Sequence, residues 1–305
     1  MPTNTNARAA IFMMLSMAAF TFNDATSKWL TTELGVGQTM LLRGIVACCL
    51  LALLAYWQGV FQNWRGMLHP AVIARSLLEV LGTVTFLFAL PFLPLSNASA
   101  IYQALPLAVT LGAALFLNEP VGWRRWLAIV VGFGGVMLIV RPGMEGFTIY
   151  SVIIVVSVFF SAIRDLVTRK MPENVPTFLV AFAASLGVTM TGAVLMPFQG
   201  GFVPVSNLEI IGIVAAAVFL LIGYSALIIG MRMGEVSFVA PFRYVALIVA
   251  IITGYFVFNE RPDAIMLIGA AIVVASGIYT FYRERVRGAE KELERVRAAE
   301  KAEAL

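Results

Sequence analysis

The stretch from Pro241 to Glu260 reads PFRYVALIVAIITGYFVFNE. It is an apolar run of the length a helix needs to cross a bilayer, roughly 20 residues. It ends in Asn259-Glu260 and carries Arg243 within its apolar part. A guanidinium in such a helix is costly, so it is expected to face a bundle interior or a wet cavity. The stretch has an echo, Ile101 to Glu119, IYQALPLAVTLGAALFLNE, with the same Asn-Glu ending. The offset is 260 − 119 = 141 residues. One ungapped shift by that amount also places Asp24 on Asp165, Lys28 on Arg169, Gly82 on Gly223, Ser96 on Ser237 and the run 126–140 on 267–281. The chain therefore reads as two tandem repeats, 1–145 and 146–282, followed by a charged tail, 283–305.

Composition agrees. The 305 residues are 60% hydrophobic and 12% charged, with a mean hydropathy of +0.91. A soluble domain carries about 25% charged residues. The fold class expected is an all-α membrane protein. The net charge of +4 comes largely from loops and tail, and it suits an anionic membrane surface better than nucleic acid. Cys48 and Cys49 are neighbours in an apolar run and give no disulfide framework. No cleavage site follows the first apolar run, so the first helix is expected to be an uncleaved anchor.

Ten spans are expected, near 8–30, 36–57, 71–92, 96–117, 123–141, 148–168, 178–198, 208–230, 237–258 and 264–282. Gly and Pro punctuate them, among them Pro120, Pro172 and Pro262. Five spans per repeat is odd, so the second repeat enters the membrane upside down. Inverted repeats place a substrate site near the midplane between the halves. With the N-terminus inside, the inner loops hold Arg8, Arg65, Arg124, Arg125, Arg169, Lys170 and Arg232, and the outer loops only Lys28, Arg141 and Arg261. That bias predicts two cytoplasmic termini. The tail reads as a solvated charged helix, with a short coiled coil or a lipid-headgroup contact as alternatives.

The segments LFLNEP (115–120), RWLAIVVGFGGVMLIVRPG (125–143) and YFVFNERPD (255–263) resemble the ten-helix, EamA-like branch of the drug/metabolite transporter superfamily. The likeness covers almost the whole chain. Within the branch, NDATSKWL (23–30), WRRW (123–126) and APFRYVALIVAIITGYFVFNERPD (240–263) are most similar to importers of large polar metabolites, of riboflavin or S-adenosylmethionine type. The resemblance implies a secondary-active or facilitative carrier of a small polar organic molecule across a bacterial inner membrane. One departure concerns proline: Pro106 lies in the fourth span, whereas its equivalent is Leu247 and the ninth span has Pro241 instead. The alternative within the branch is an exporter of amino acids or drugs.

Several residues are candidates for function. Asp24 with Lys28 and Asp165 with Arg169 are spaced i,i+4, on one helix face each. They read either as ion pairs at helix ends or as matched gating or coupling residues. Arg75 and Glu79 share that spacing. Glu79 is either held by Arg75 or available as a coupling or substrate-amine site. Arg43 is expected to be structural, with Asp24 as a partner. Arg243 and Tyr244 align by the repeat with Tyr102 and Gln103. Polar and aromatic groups at equivalent places suit a site on a pseudo-twofold axis, where rings stack and a guanidinium binds an anion or carbonyl. Tyr224 and Asn23 are further expected substrate contacts. The tyrosines also have a packing reading.

A membrane enzyme or an assembly factor is the rival class. The single histidine, His69, excludes paired-histidine zinc sites, and no lysine follows a glycine as a phosphate-binding loop requires. No metal or cofactor is expected. The expected partners are a small-molecule substrate and membrane lipid, with a homodimer left open.

Overall fold

The computed structural model describes residues 3–57, 59, 66–117, 122–171, 175–233 and 236–303, and among these the chain is helical with no strand. Arg65, Asn118, Glu119, Pro120, Pro172, Glu173, the side chain of Ser237 and the tail side chains beyond Val286 lie outside the described residues. The helices are α1 (Thr3–Trp57), α2 (Pro70–Ala89), α3 (Leu95–Tyr102), α4 (Leu105–Phe116), α5 (Trp123–Val140), α6 (Ile149–Arg169), α7 (Thr177–Leu195), α8 (Asn207–Met233), α9 (Val236–Val239), α10 (Val245–Phe258) and α11 (Ala264–Glu303). Among the described residues, nine helical stretches are long and apolar enough to cross a membrane.

The expected count was ten, with separate spans at 8–30 and 36–57. Instead α1 runs for 55 residues and is interrupted only at Gly35, whose φ of 76° and ψ of 164° are non-helical. A helix that long measures about 80 Å, more than twice a bilayer core of about 30 Å. The break divides it into two arms with different partners. Before Gly35, Phe20 abuts Gly223 and Trp29 abuts Gly212 on α8. After it, Gly44 abuts Thr189 and Gly37 abuts Met196 at the end of α7. The backbone freed at the break is satisfied by side chains. Gly37 N–H donates to Gln199 Oε1 at 2.8 Å, and Gln38 bonds Val203 N–H and C=O at 2.8 and 2.7 Å.

The repeat is visible as paired contacts. Ser16 Oγ donates to the Gly223 carbonyl at 2.7 Å, and Ser157 Oγ to the Gly82 carbonyl at 2.8 Å. Each residue of the second bond is the 141-residue equivalent of one in the first, with the roles of the halves exchanged. The pair α5 and α11 behaves likewise: Gly132 meets Ser276, and Gly135 meets Val273. Cys48 lies 3.6 Å from Thr189, its own equivalent. Contacts that swap in this way are what a twofold relation between halves produces, and the antiparallel run of each helix pair makes the repeats inverted.

Close approach is bought with small residues. A Cβ on Gly192 would sit 2.5 Å from Leu41 N, and one on Gly135 would sit 2.8 Å from the Gly269 carbonyl. In lipid, helix association depends on such packing. Outward faces carry exposed Ile, Leu, Val and Phe, as on α8 at Leu208, Ile211 and Val214.

Candidate functional site

Two helices are broken at equivalent places. The stretch Leu95–Phe116 is divided between α3 and α4 at Gln103 and Ala104, just before Pro106. The stretch Ala240–Phe258 begins with a 3₁₀ segment, Ala240–Tyr244, around Pro241. Proline has no N–H to donate and blocks the regular ladder. Two prolines at non-equivalent positions thus break the helices at equivalent ones, next to Tyr102 and Gln103 in one half and at Arg243 and Tyr244 in the other. The segments α3 and α10 pack on each other, Ile101 and Leu105 sharing a core with Leu247 and Ala250.

Beside the first break lies a network of half-buried charge. The Arg164 guanidinium on α6 reaches both Glu79 oxygens on α2, at 3.1 and 3.2 Å. Its Nε and Nη2 both donate to Asp165 Oδ1, at 2.9 and 2.8 Å. Arg75 Nη2 stands 3.5 Å from Glu79 Oε2, an oxygen that Arg164 also reaches. The Tyr102 hydroxyl is 2.7 Å from Ser161 Oγ. Tyr224 packs edge-on against Phe20, the ring centroids 5.3 Å apart. The network therefore joins the first repeat, through Glu79 and Tyr102, to the second, through Arg164, Asp165 and Ser161. Ion pairs held away from water need nearly complete partnering, and here Arg75 Nη1 is buried without a hydrogen-bond partner among the described residues.

A second polar cluster sits in α1. Arg43 Nη1 donates to Asn23 Oδ1 at 3.0 Å and to Ser27 Oγ at 2.9 Å, while Asn23 Nδ2 donates to Asp24 Oδ1 at 3.1 Å.

The expected Asp24–Lys28 ion pair is not formed. Lys28 turns away to the Leu93 carbonyl and the Glu260 carboxylate, with the Phe258 ring 4.9 Å from its ammonium. The other Glu260 oxygen accepts the Leu95 N–H at 2.7 Å. These groups tie α1, the α2–α3 link and the end of α10 together. Asp165 is engaged by Arg164, its chain neighbour, and Arg169 closes α6 in its last turn. Glu79 has two arginines rather than Arg75 alone. Arg243 is half-buried on the 3₁₀ segment, and its guanidinium makes no hydrogen bond or ion pair among the described residues. Tyr244 is buried, its hydroxyl seated against Gly277. Gln103 is buried at the opposite break.

Sequence reasoning missed Arg164 and the role of Glu260. Arg164 was legible: it is the 141-residue equivalent of Asn23, which was a candidate. Arg164 and Asp165 are chain neighbours, a pairing that i,i+4 spacing does not register. Glu260 bonds across 232 residues to Lys28, a contact no local pattern signals. Among the described residues, no group of His, Cys, Asp and Glu could hold a metal.

The EamA-like transporter family matches the chain twice, over residues 7–141 and 148–282. The chain belongs to the EamA-like transporter family. It is a multi-pass membrane transporter, and the two matches are offset by 148 − 7 = 141 residues. The chain is 27% identical over 281 residues to an S-adenosylmethionine uptake transporter of Rickettsia bellii, covering 90% of this chain and 93% of that one. It is 26% identical over 273 residues to a riboflavin transporter of Vibrio cholerae, covering 88% and 91%. It is 25% identical over 269 residues to the pseudopaline exporter CntI of Pseudomonas aeruginosa, covering 87% and 94%. A solved crystal structure superposes with a TM-score of 0.64 at 15% identity, over 90% of this chain and 97% of that one, and shares the fold.

Proposed function

We propose that this transporter carries a small polar organic metabolite, of S-adenosylmethionine or riboflavin type, across the bacterial inner membrane by alternating access. The observation that carries the reading is the charge network of Glu79, Arg164 and Asp165, placed between the repeats and beside a broken helix. Carriers with inverted repeats bind substrate at such discontinuities and move by rocking one half against the other. Lys28 and Glu260 form the gate at their end of the bundle, which the charge bias assigns to the periplasmic side, with both termini cytoplasmic. Tyr102, Tyr224 and the half-buried Arg243 offer rings and a guanidinium to a planar, polar substrate. The relatives named for uptake favour import.

The test is uptake by proteoliposomes containing the purified chain, with labelled S-adenosylmethionine and riboflavin supplied outside. At least one should accumulate faster than in protein-free liposomes, and excess unlabelled compound should suppress it. Equal rates with and without protein for both compounds would remove this substrate assignment.

A further inference from the structure

The charge network has a bond pattern that suggests what it recognises. Arg75 and Arg164 stand against Glu79 and Asp165, so the cluster is neutral as it is. Binding an anion or a cation alone would leave one charge of this half-buried cluster without a partner, which costs more the less water reaches it. A molecule bearing one charge of each sign, close together, leaves every charge paired. The Arg164 fork is also imperfectly used. Its Nε and Nη2 converge on a single oxygen, Asp165 Oδ1. A guanidinium edge matches a carboxylate best when each N–H has an oxygen of its own. An incoming carboxylate is thus a better partner for that edge than Asp165 in its present pose.

The network also breaks the twofold relation. The equivalents of Arg164 and Glu79 in the other half are Asn23 and Leu220. A metabolite has no twofold axis of its own, so its polar head requires a place where the two halves differ, and here they differ in charge.

We propose that the transported molecule has a zwitterionic α-amino-carboxylate head, that its carboxylate takes the Nε–Nη2 edge of Arg164, and that its ammonium is received by the displaced Asp165 and by Glu79. This rests on reading the network as the transport site. It deepens that reading by selecting the amino-acid-headed class over a flavin, which has no such head. Because Arg164 and Glu79 belong to different repeats, an ammonium received by Glu79 competes with Arg164 Nη1 for it and loosens the bridge between them, which gives substrate a direct hold on their relative movement.

The experiment is equilibrium dialysis of the purified full chain in detergent against three labelled probes: S-adenosylmethionine, its decarboxylated form and riboflavin. The wild type should bind S-adenosylmethionine at least about tenfold more tightly than the decarboxylated compound. That ratio should fall to about one in Arg164→Gln. Should the single variant fail to fold, Arg164→Gln with Asp165→Asn keeps the cluster neutral and leaves Glu79 to Arg75, and it should show the same loss. Equal wild-type affinity for the first two probes overturns the zwitterion proposal while leaving the transport site in place. So does binding of riboflavin without S-adenosylmethionine. A folded double variant that keeps the tenfold preference overturns the role of Arg164. Binding of none of the three probes by the wild type overturns the substrate reading on which the proposal stands.

Discussion

Lys28 shows how a single side chain gains its meaning from partners far along the chain. The residue is 7% exposed, and its ammonium has the Leu93 carbonyl and the Glu260 carboxylate as partners. Removing one member of a buried pair strands the other, at a cost of about 3 kcal/mol. Glu260→Ala and Lys28→Met should each lower the unfolding stability, and the double variant should lose markedly less than the sum. A double-mutant cycle on purified protein measures this, with a coupling of about 1–3 kcal/mol expected for groups in contact. Strict additivity would show that the two residues are not energetically joined. Asp263 is the contrasting case, at the exposed start of α11. The Met266 N–H chiefly holds its carboxyl below its ordinary value; burial opposes this, and the Arg141 guanidinium adds to the lowering. Its contribution is therefore present above about pH 4, the unfolded value, and is lost as pH falls through the lower folded value. The melting temperature of Asp263→Asn should lie below wild type at pH 7, and the gap should close on acidification below about pH 4. A gap that widens in acid would refute the assignment.

Helices were the part of this fold most open to reading, and their interruptions the least. Apolar length and a 141-residue echo identify the spans, because a bilayer demands long apolar runs and a duplicated unit repeats its pattern. The join of the first two spans at Gly35 was not readable, because an isolated glycine does not reveal its φ, and the bonds that stabilise the break come from Gln38 and Gln199. The break at Tyr244 was half readable. The sequence shows that the prolines are not equivalent, yet the breaks are: Pro106 follows its break at Gln103 and Ala104, whereas Pro241 opens the 3₁₀ segment that ends at Tyr244. Within the site, the candidates Glu79, Tyr102 and Asp165 do gather around one network, and Asn23 and Asp24 gather with Arg43 in another. Partner choice was the unreadable part, because it depends on helix rotation. If the breaks serve transport, Pro106→Ala and Pro241→Ala should leave the fold intact while slowing proteoliposome uptake by about tenfold, the scale of a misplaced binding element. Uptake unchanged in both would reduce the breaks to packing features. Gly192→Leu, by contrast, places side-chain atoms where Leu41 N already lies within 2.5 Å of a Cβ. It should destabilise by about 1–3 kcal/mol or more, seen as a lowered melting temperature in detergent.

At the scale of the whole molecule, the inverted repeat constrains orientation as well as mechanism. Contacts such as Ser16 to Gly223 and Ser157 to Gly82 are made twice with the halves exchanged. The two ends of the bundle are thus built from equivalent elements pointing in opposite directions, and backbone topology alone does not say which end faces the cytoplasm. Charge does. Arg8, Arg124, Arg125, Arg169, Lys170 and Arg232 lie at the end that carries the N-terminus, while Lys28, Arg141 and Arg261 lie at the other. Of those three, Lys28 and Arg141 are already paired, with Glu260 and Asp263. Basic residues next to short loops resist translocation. Reporter fusions after Arg285 should therefore report a cytoplasmic location, and an insertion at 143–146 a periplasmic one. Moving the bias should move the result. Replacing Arg124, Arg125, Arg169 and Lys170 with Gln while adding lysines at 143–146 should give a mixed population. A wild-type tail reporter on the periplasmic side would reverse the assignment of the Lys28–Glu260 gate, and with it the side from which substrate first meets Arg164.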